Sequence, residues 1–348
     1  MNILFLAPKY MGLYEPIKIK LEENGHNVVY IEDITPSFYP YYRRNGLRNI
    51  IYKTVHVFRN LDKKYEDFWN KIILEHNLLD TRFDLFFCIN GTSLHPYFLD
   101  RIIKKNPNMR RTLYIWDTNK YYNFEWYLHY FNNAFTFDKS DARELSINYL
   151  PFYYVQRNNC NYNLKYDAFC IGSLHDGRLA ILDSISKQMD KLGLKYYFKI
   201  VYRPIPNKLL SRITLKLRSL IEDGATIQER EYKMGLRTHS LLTTTPYSID
   251  EFNSLMLQSK VIIDTDRETQ LGLTPRLVWA LANGKSVITT NVNLKNSVYC
   301  PKDKIWFIDR NNPQLTPKIF ENLDGTTCVN EQIKQLEINN WITNFVPD

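Results

Sequence analysis

The chain begins Met1-Asn-Ile-Leu-Phe-Leu-Ala7, turns through Gly12, runs along a helical stretch to Asn24-Gly25, and continues Asn27-Val-Val-Tyr-Ile31. Short apolar runs without polar alternation mark strands covered on both faces, as a parallel sheet requires. Strand, loop, helix, glycine, strand is the opening of a Rossmann-like unit. The alternation goes on downstream. Residues 84–89 form an apolar run capped by Asn90-Gly91-Thr92, residues 112–116 one that ends at Asp117, and residues 133–137 one that ends at Asp138. Residues 151–165, with a proline, four asparagines and little periodicity, read as a linker. The pattern then restarts. Strands are expected over 166–171 (ending in Gly172-Ser173), 197–202, 261–264, 286–290 and 304–308, and helices over 177–192, 275–282 and 331–345. The expected fold class is therefore α/β, with one Rossmann-like domain over 1–155 and a second over 156–325. A C-terminal helix within 326–348 is expected to pack back on the first domain. Ligands of open parallel sheets bind outside the carboxyl ends of the strands. Two such sheets facing each other across a cleft would suit an enzyme that joins two substrates.

The composition sets the bounds. A chain of 348 residues exceeds a single compact core and divides naturally into two domains. Apolar residues at 44% and charged residues at 24% describe a globular chain, and no stretch approaches the roughly 20 apolar residues of a membrane span. The opening residues read as a strand rather than a secretory signal. Five scattered cysteines, Cys88, Cys160, Cys170, Cys300 and Cys328, include no C-x-x-C pair, which argues against a zinc ribbon or a disulfide framework. A cytoplasmic location is the expectation. The net charge of +8 favours an anionic partner: a nucleotide phosphate, a nucleic acid or an anionic membrane face.

The stretch Gly272-Leu-Thr-Pro-Arg-Leu-Val-Trp-Ala-Leu-Ala-Asn-Gly-Lys-Ser-Val-Ile-Thr-Thr-Asn291 resembles the donor-binding segment of GT-B glycosyltransferases. The likeness is greatest to bacterial enzymes of capsule and lipopolysaccharide assembly. Leu113-Tyr-Ile-Trp-Asp-Thr118, Phe135-Thr-Phe-Asp-Lys-Ser-Asp-Ala142 and Tyr166-Asp-Ala-Phe-Cys-Ile-Gly-Ser-Leu-His-Asp-Gly-Arg178 agree with that group in order and spacing. The resemblance implies a transferase that takes a nucleotide-sugar donor and a glycan or lipid-linked glycan acceptor (lipopolysaccharide, O-antigen or capsule), with neither metal nor cofactor. In that family an acidic residue that holds the donor ribose commonly stands where this chain has Trp279. An indole offers one N–H and no acceptor, so either another group takes the ribose, with Glu268 and Gln270 just upstream as candidates against a solvated loop, or the donor is bound differently.

The residues support the same reading from below. A helix N-terminus presents unpaired N–H groups and a partial positive charge to a phosphate. Gly272, Leu273, Thr274 and Pro275 lie where a loop enters a helix, and Arg276 adds a fork of donors suited to a diphosphate. Gly172 and Ser173, with His175 and Arg178 close by, repeat that arrangement at another strand end. The plainer alternatives are a tight turn at Gly172 and a surface cation at Arg276. On the acceptor side, Asn90, Gly91 and Trp116 sit at strand ends, and Asp117 and Asp138 are the candidate catalytic bases. The competing role for such an Asp is a helix N-cap. His95 and His129 are weaker candidates, because a lone His is more often a packing or surface residue.

Asp264-Thr-Asp266 imitates a D-x-D metal site, yet a strand-end loop explains it better and no metal is expected. Two basic segments remain. Residues 38–69 mix Arg43, Arg44, Arg48, Lys53, Arg59, Lys63 and Lys64 with aromatic residues; residues 208–218 alternate Leu209, Leu210, Ile213 and Leu217 with Lys208, Arg212, Lys216 and Arg218. The second is amphipathic at helical spacing and would suit contact with an anionic membrane at its inner face, or else an ordinary core-facing helix. Two other functions compete with transfer: a GT-B chain altered in catalysis, and a basic nucleic-acid-binding protein. The latter lacks any RRM, KH or zinc signature, and no nucleic-acid partner is expected.

Overall fold

The structure is a computed structural model and describes residues 1–34, 61–119, 123–156, 163–175, 177–206, 209–219, 224–266, 271–321 and 331–346. The chain divides into two compact units, Met1–Val155 with Leu336–Asp348, and Gln156–Gln335.

The first unit is built on six parallel strands: β1 Asn2–Ala7, β2 Asn27–Glu32, β3 Leu85–Ile89, β4 Arg110–Ile115, β5 Asn133–Thr136 and β6 Asn148–Tyr149. Their order is β2-β1-β3-β4-β5-β6, so the sheet reverses direction of growth between β1 and β3. Successive side chains of a strand point to opposite faces, and the core follows that rule. Leu4 and Leu6, with Phe86, Cys88, Leu113 and Ile115, pack on Tyr65, Trp69 and Ile73 of the helix Leu61–Glu75 and on Phe98 and Ile102 of the helix Pro96–Lys105. The other face carries Phe5, Phe87 and Tyr114. Phe345 stacks on Phe87 at 4.7 Å, and Trp341 meets Tyr114 edge-on at 4.9 Å. The indole N–H of Trp341 donates to the Pro151 carbonyl at 3.0 Å.

The second unit is again a parallel six-stranded sheet: β7 Tyr166–Ser173, β8 Tyr196–Val201, β9 Leu242–Thr243, β10 Ser259–Asp264, β11 Ser286–Thr289 and β12 Ile305–Phe307. The order β12-β11-β10-β7-β8-β9 is the 3-2-1-4-5-6 arrangement of the dinucleotide fold, with its topological switch between β7 and β10. Ala168, Cys170, Phe198, Ile200, Val261 and Ile263 pack on the helix Arg178–Lys191 through Ile181, Leu182, Ile185 and Met189. The opposite face pairs Phe169 with Phe252 of the helix Ile249–Leu257, edge-on at 5.1 Å.

Three expectations require correction. The start of the supposed linker is core: Phe152, Tyr153 and Tyr154 are buried in the first unit. The terminal helix over 331–345 is two short helices, Glu331–Lys334 and Ile338–Ile342. The break arises because the backbone there pairs with Tyr154, whose N–H donates to Leu336 O and whose carbonyl accepts from Ile338 N, both at 2.9 Å. Within the basic-aromatic stretch, the helix Leu61–Glu75 is a core element that buries Tyr65 and Trp69. Residues 38–60 of that stretch, Lys208, Glu268 and Gln270 lie outside the described residues.

Candidate functional site

In the second unit, the polar residues gather at the switch point. β10 ends at Asp264, whose side chain is fully buried. Its Oδ1 accepts from Thr274 Oγ1 at 2.7 Å and from Arg276 Nε and Nη2 at 3.1 and 3.0 Å, and its Oδ2 accepts from Thr289 Oγ1 at 3.1 Å. Arg276 Nη1 reaches across to β7, donating to Ile171 O at 2.6 Å. Arg178 completes the brace. Its Nη1 donates to Ser173 O at 2.7 Å, while Nε and Nη2 donate to Thr265 Oγ1 and Thr265 O at 2.7 and 2.6 Å. Two guanidinium groups thus tie the carboxyl ends of β7 and β10 together.

Gly172 is what lets them in. A Cβ built there would lie 2.9 Å from Arg178 Cζ and 3.1 Å from Arg276 Nη1. Two buried guanidinium groups therefore stand at one strand end, where the Asp264 carboxylate offsets the charge of Arg276. Beside it begins the helix Pro275–Ala282, capped by Thr274, whose hydroxyl accepts from Leu277 N at 3.2 Å; Pro275 occupies the first turn. Asp266 lies next door, held by Thr290 Oγ1 and by Arg310 Nη2 at 3.1 Å. Burial raises the Asp266 pKa and Asp264 adds to that, against the lowering from Thr290 and Arg310. Burial likewise pushes the Cys170 thiol up despite both arginines, so it stays neutral.

The carboxyl ends of the first sheet carry a separate cluster. Asn90 stands just past β3 with φ of 60°, a conformation that Asn tolerates better than most residues. Its amide donates to Asp117 Oδ2 at 2.8 Å and its Oδ1 accepts from Trp116 N at 2.9 Å; Tyr127 Oη donates to its carbonyl. Gly91 follows with φ of 74°, and a Cβ there would come within 2.9 Å of Cys88 Sγ. Asp33, one residue beyond β2, grips the same loop. Its carboxylate accepts from Thr92 N and Ser93 N, each at 2.8 Å, and from Thr92 Oγ1 at 3.1 Å. Burial raises its pKa against those hydrogen bonds, which lower it.

The residues expected from sequence fall into three groups. Gly172, Ser173, Arg178, Thr274 and Arg276 meet in the second unit, with Gly272 in the adjoining loop, Pro275 at the first position of the helix and the half-buried His175 on the loop after β7. Leu273 is a core side chain. Arg276 is also placed differently from expectation: the fork expected to grip a diphosphate is turned on Asp264, Ile171 and Thr265, so it positions the strand ends. Asn90, Gly91, Trp116 and Asp117 meet in the first unit. Asp138 does not join them. It is the N-cap of the helix Lys139–Glu144, accepting from Ser140 N and Asp141 N at 2.8 and 3.3 Å, and is buried. His95 is likewise a cap, for Pro96–Lys105, stacked on Tyr65 at 4.8 Å, and His129 is exposed.

Two residues of these strand-end clusters escaped the sequence reading. Asp33 carries the same signal as Asp117, an acid just after an apolar run, and was legible; Arg310 was not, because its partner Asp266 lies 44 residues away. Trp279 is buried and meets Phe252 edge-on at 5.4 Å, so it belongs to the core rather than to a ribose site. The acids of Asp264-Thr-Asp266 are engaged by protein donors, and among the described residues no group of three or more His, Cys, Asp or Glu could hold a metal.

Two parallel six-stranded α/β units of this kind make up the GT-B fold, and the structural neighbours share it. The α,α-trehalose-phosphate synthase (UDP-forming) from Burkholderia vietnamiensis matches with a TM-score of 0.56 and 11% identity over 99% of each chain. A structure from E. coli, described as trehalose-6-phosphate bound with UDP-2-fluoro glucose, matches at 0.53 and 11%, over 99% of this chain and 98% of that one. The N-terminal domain of Candida albicans trehalose-6-phosphate phosphatase matches at 0.51 and 10%, over 99% and 95%. At these identities the likeness is one of fold. No family model and no curated protein matches the sequence.

Proposed function

We propose that the protein transfers a sugar from a nucleotide-sugar donor to a glycan acceptor, without a metal. The observation that carries this reading is the N-terminus of the helix Pro275–Ala282, which opens at the switch point beside the arginine-braced strand ends. In transfer, the bond from the anomeric carbon to the donor phosphate breaks as the acceptor oxygen bonds to that carbon, and negative charge builds on the departing diphosphate. Fixed positive charge and oriented N–H groups stabilise that charge without reorganising. The donor therefore belongs to the second unit. The first unit takes the acceptor, with Asp117 as the base for its hydroxyl, a role worth roughly 10²–10⁴-fold. An acceptor of the lipopolysaccharide, O-antigen or capsule class, and a cytoplasmic setting, rest on the resemblance of residues 272–291 to bacterial enzymes of that assembly.

Purified protein is tested against UDP-, GDP- and CMP-sugars for thermal stabilisation and for release of the nucleotide. One donor class should raise Tm by mass action and turn over. Asp117→Asn should then lower transfer by roughly 10²-fold or more while keeping the Tm rise; equal transfer by the variant would remove Asp117 from the chemistry. Trp279, which stands where the resemblance places the ribose-holding acid, favours one second reading: a GT-B chain altered in catalysis. A Tm rise with no turnover is its result.

A further inference from the structure

The helix Leu209–Arg218 of the second unit shows solvent the wrong face for a core-seeking element. Leu209, Ile213 and Leu217 are 76, 51 and 62% exposed. Spaced four apart, at about 100° per residue, they form one stripe about 80° wide. Arg212 and Lys216, both exposed, run along its edge. Ser211 and Leu215, on another face, are half-buried, and the helix packs on its successor Gly224–Lys233. The segment from Leu209 to Arg218 contains three basic residues and no acid. A soluble surface helix ordinarily turns such leucines inward. Here the inward side is already taken, and the apolar stripe stands outside beside positive charge.

We infer that this helix docks on the surface of an anionic bilayer, lying in the interface with Leu209, Ile213 and Leu217 among the acyl chains and Arg212 and Lys216 at the headgroup phosphates. Charge complementarity selects the occupant. An apolar partner alone would not match the charge of the basic edge, and a polyanion such as nucleic acid would leave the leucines in water. Amphipathic helices with basic polar faces bind membranes in this manner, in proportion to the apolar area inserted and the anionic lipid present. The surface does not depend on the transfer reading, because none of its residues belongs to the strand-end clusters.

The test is sedimentation of the full chain with vesicles of phosphatidylcholine, with and without about 30% phosphatidylglycerol, at low and high salt. The protein should pellet with the phosphatidylglycerol vesicles and be released by salt, which screens the headgroup field. Combined Leu209→Ser, Ile213→Ser and Leu217→Ser should weaken partition about tenfold or more. Arg212→Glu with Lys216→Glu should weaken it about 25-fold or more, at about fivefold for each basic residue. The charge-reversed pair changes exposed side chains, and its fold is checked by Tm beside the wild type, so it keeps the test decisive even if the apolar triple folds poorly. Wild-type protein that stays in the supernatant, or a folded variant that pellets as the wild type does, would overturn the inference. So would a dimer in size-exclusion chromatography that the triple substitution abolishes while the wild type ignores vesicles, since the stripe would then receive a second copy.

Discussion

Arg276 and Asp264 illustrate how one ion pair serves two ends. The guanidinium satisfies the carboxylate and at the same time fastens β10 to the Ile171 carbonyl of β7. Removing one partner of a buried pair strands the other, at about 3–5 kcal/mol. Arg276→Ala should therefore lose that much stability in chemical denaturation, and a variant as stable as wild type would show that the brace carries no load. Gly172→Ala should fail in the same assay for a steric reason, since its methyl would lie 2.9 Å from Arg178 Cζ. The two strand-end acids separate by role. Asp138→Ala should lose about 1 kcal/mol, as N-caps do, whereas Asp117→Asn should act on transfer. The sequence singled out Gly172, Arg178, Thr274 and Arg276 because loops that enter helices are legible locally. It did not reveal that Arg276 faces Asp264 rather than solvent, because that partnership depends on β7 lying beside β10, a matter of strand order.

Elements were legible where their punctuation is strong. Thr274-Pro275 opens the helix Pro275–Ala282 at the expected residue, with a capping hydroxyl and a proline in the first turn. Ser248-Ile-Asp-Glu251 is a capping box whose two reciprocal hydrogen bonds open the helix Ile249–Leu257, an element that was not among those expected from the sequence. β6 and β9 span two residues each, too few for any periodicity to register. The terminal segment misled because its apolar spacing is helical, while a nonlocal pairing with Tyr154 decides where the helix stops. That segment closes one face of the first sheet. Trp341→Ala would empty the space between Tyr114 and Tyr153 and free the Pro151 carbonyl, costing about 3–5 kcal/mol. A Trp341→Ala protein with unchanged resistance to limited proteolysis would deny the segment this role.

At the scale of the molecule, paired charges set the response to pH. Asp167 on β7 receives Lys260 Nζ of β10 at 2.7 Å and Lys195 N at 2.9 Å. Partial burial pulls its pKa up, but those bonds outweigh it and hold it below the usual carboxylate value. Its charged form is thus favoured by folding. The contribution is present above the unfolded pKa of about 3.9 and is lost as pH falls through the lower folded value. Asp167→Asn should cost about 1 kcal/mol at pH 7 and nothing once Asp167 is protonated; an equal deficit at both ends would refute the linkage. Asp33 and Asp266 work oppositely. Burial raises both, so their contribution is complete below the unfolded pKa and fades as pH rises through the raised one. Two α/β units, each with its polar cluster at the carboxyl strand ends, were foreseeable from alternating runs and their terminal residues. The most direct probe of the donor site is a thermal titration of purified protein with nucleotide sugars. One base class should raise Tm progressively with concentration, and the same class stripped of its diphosphate should not. A Tm unmoved by every UDP-, GDP- and CMP-sugar would contradict a diphosphate site at the arginine-braced strand ends.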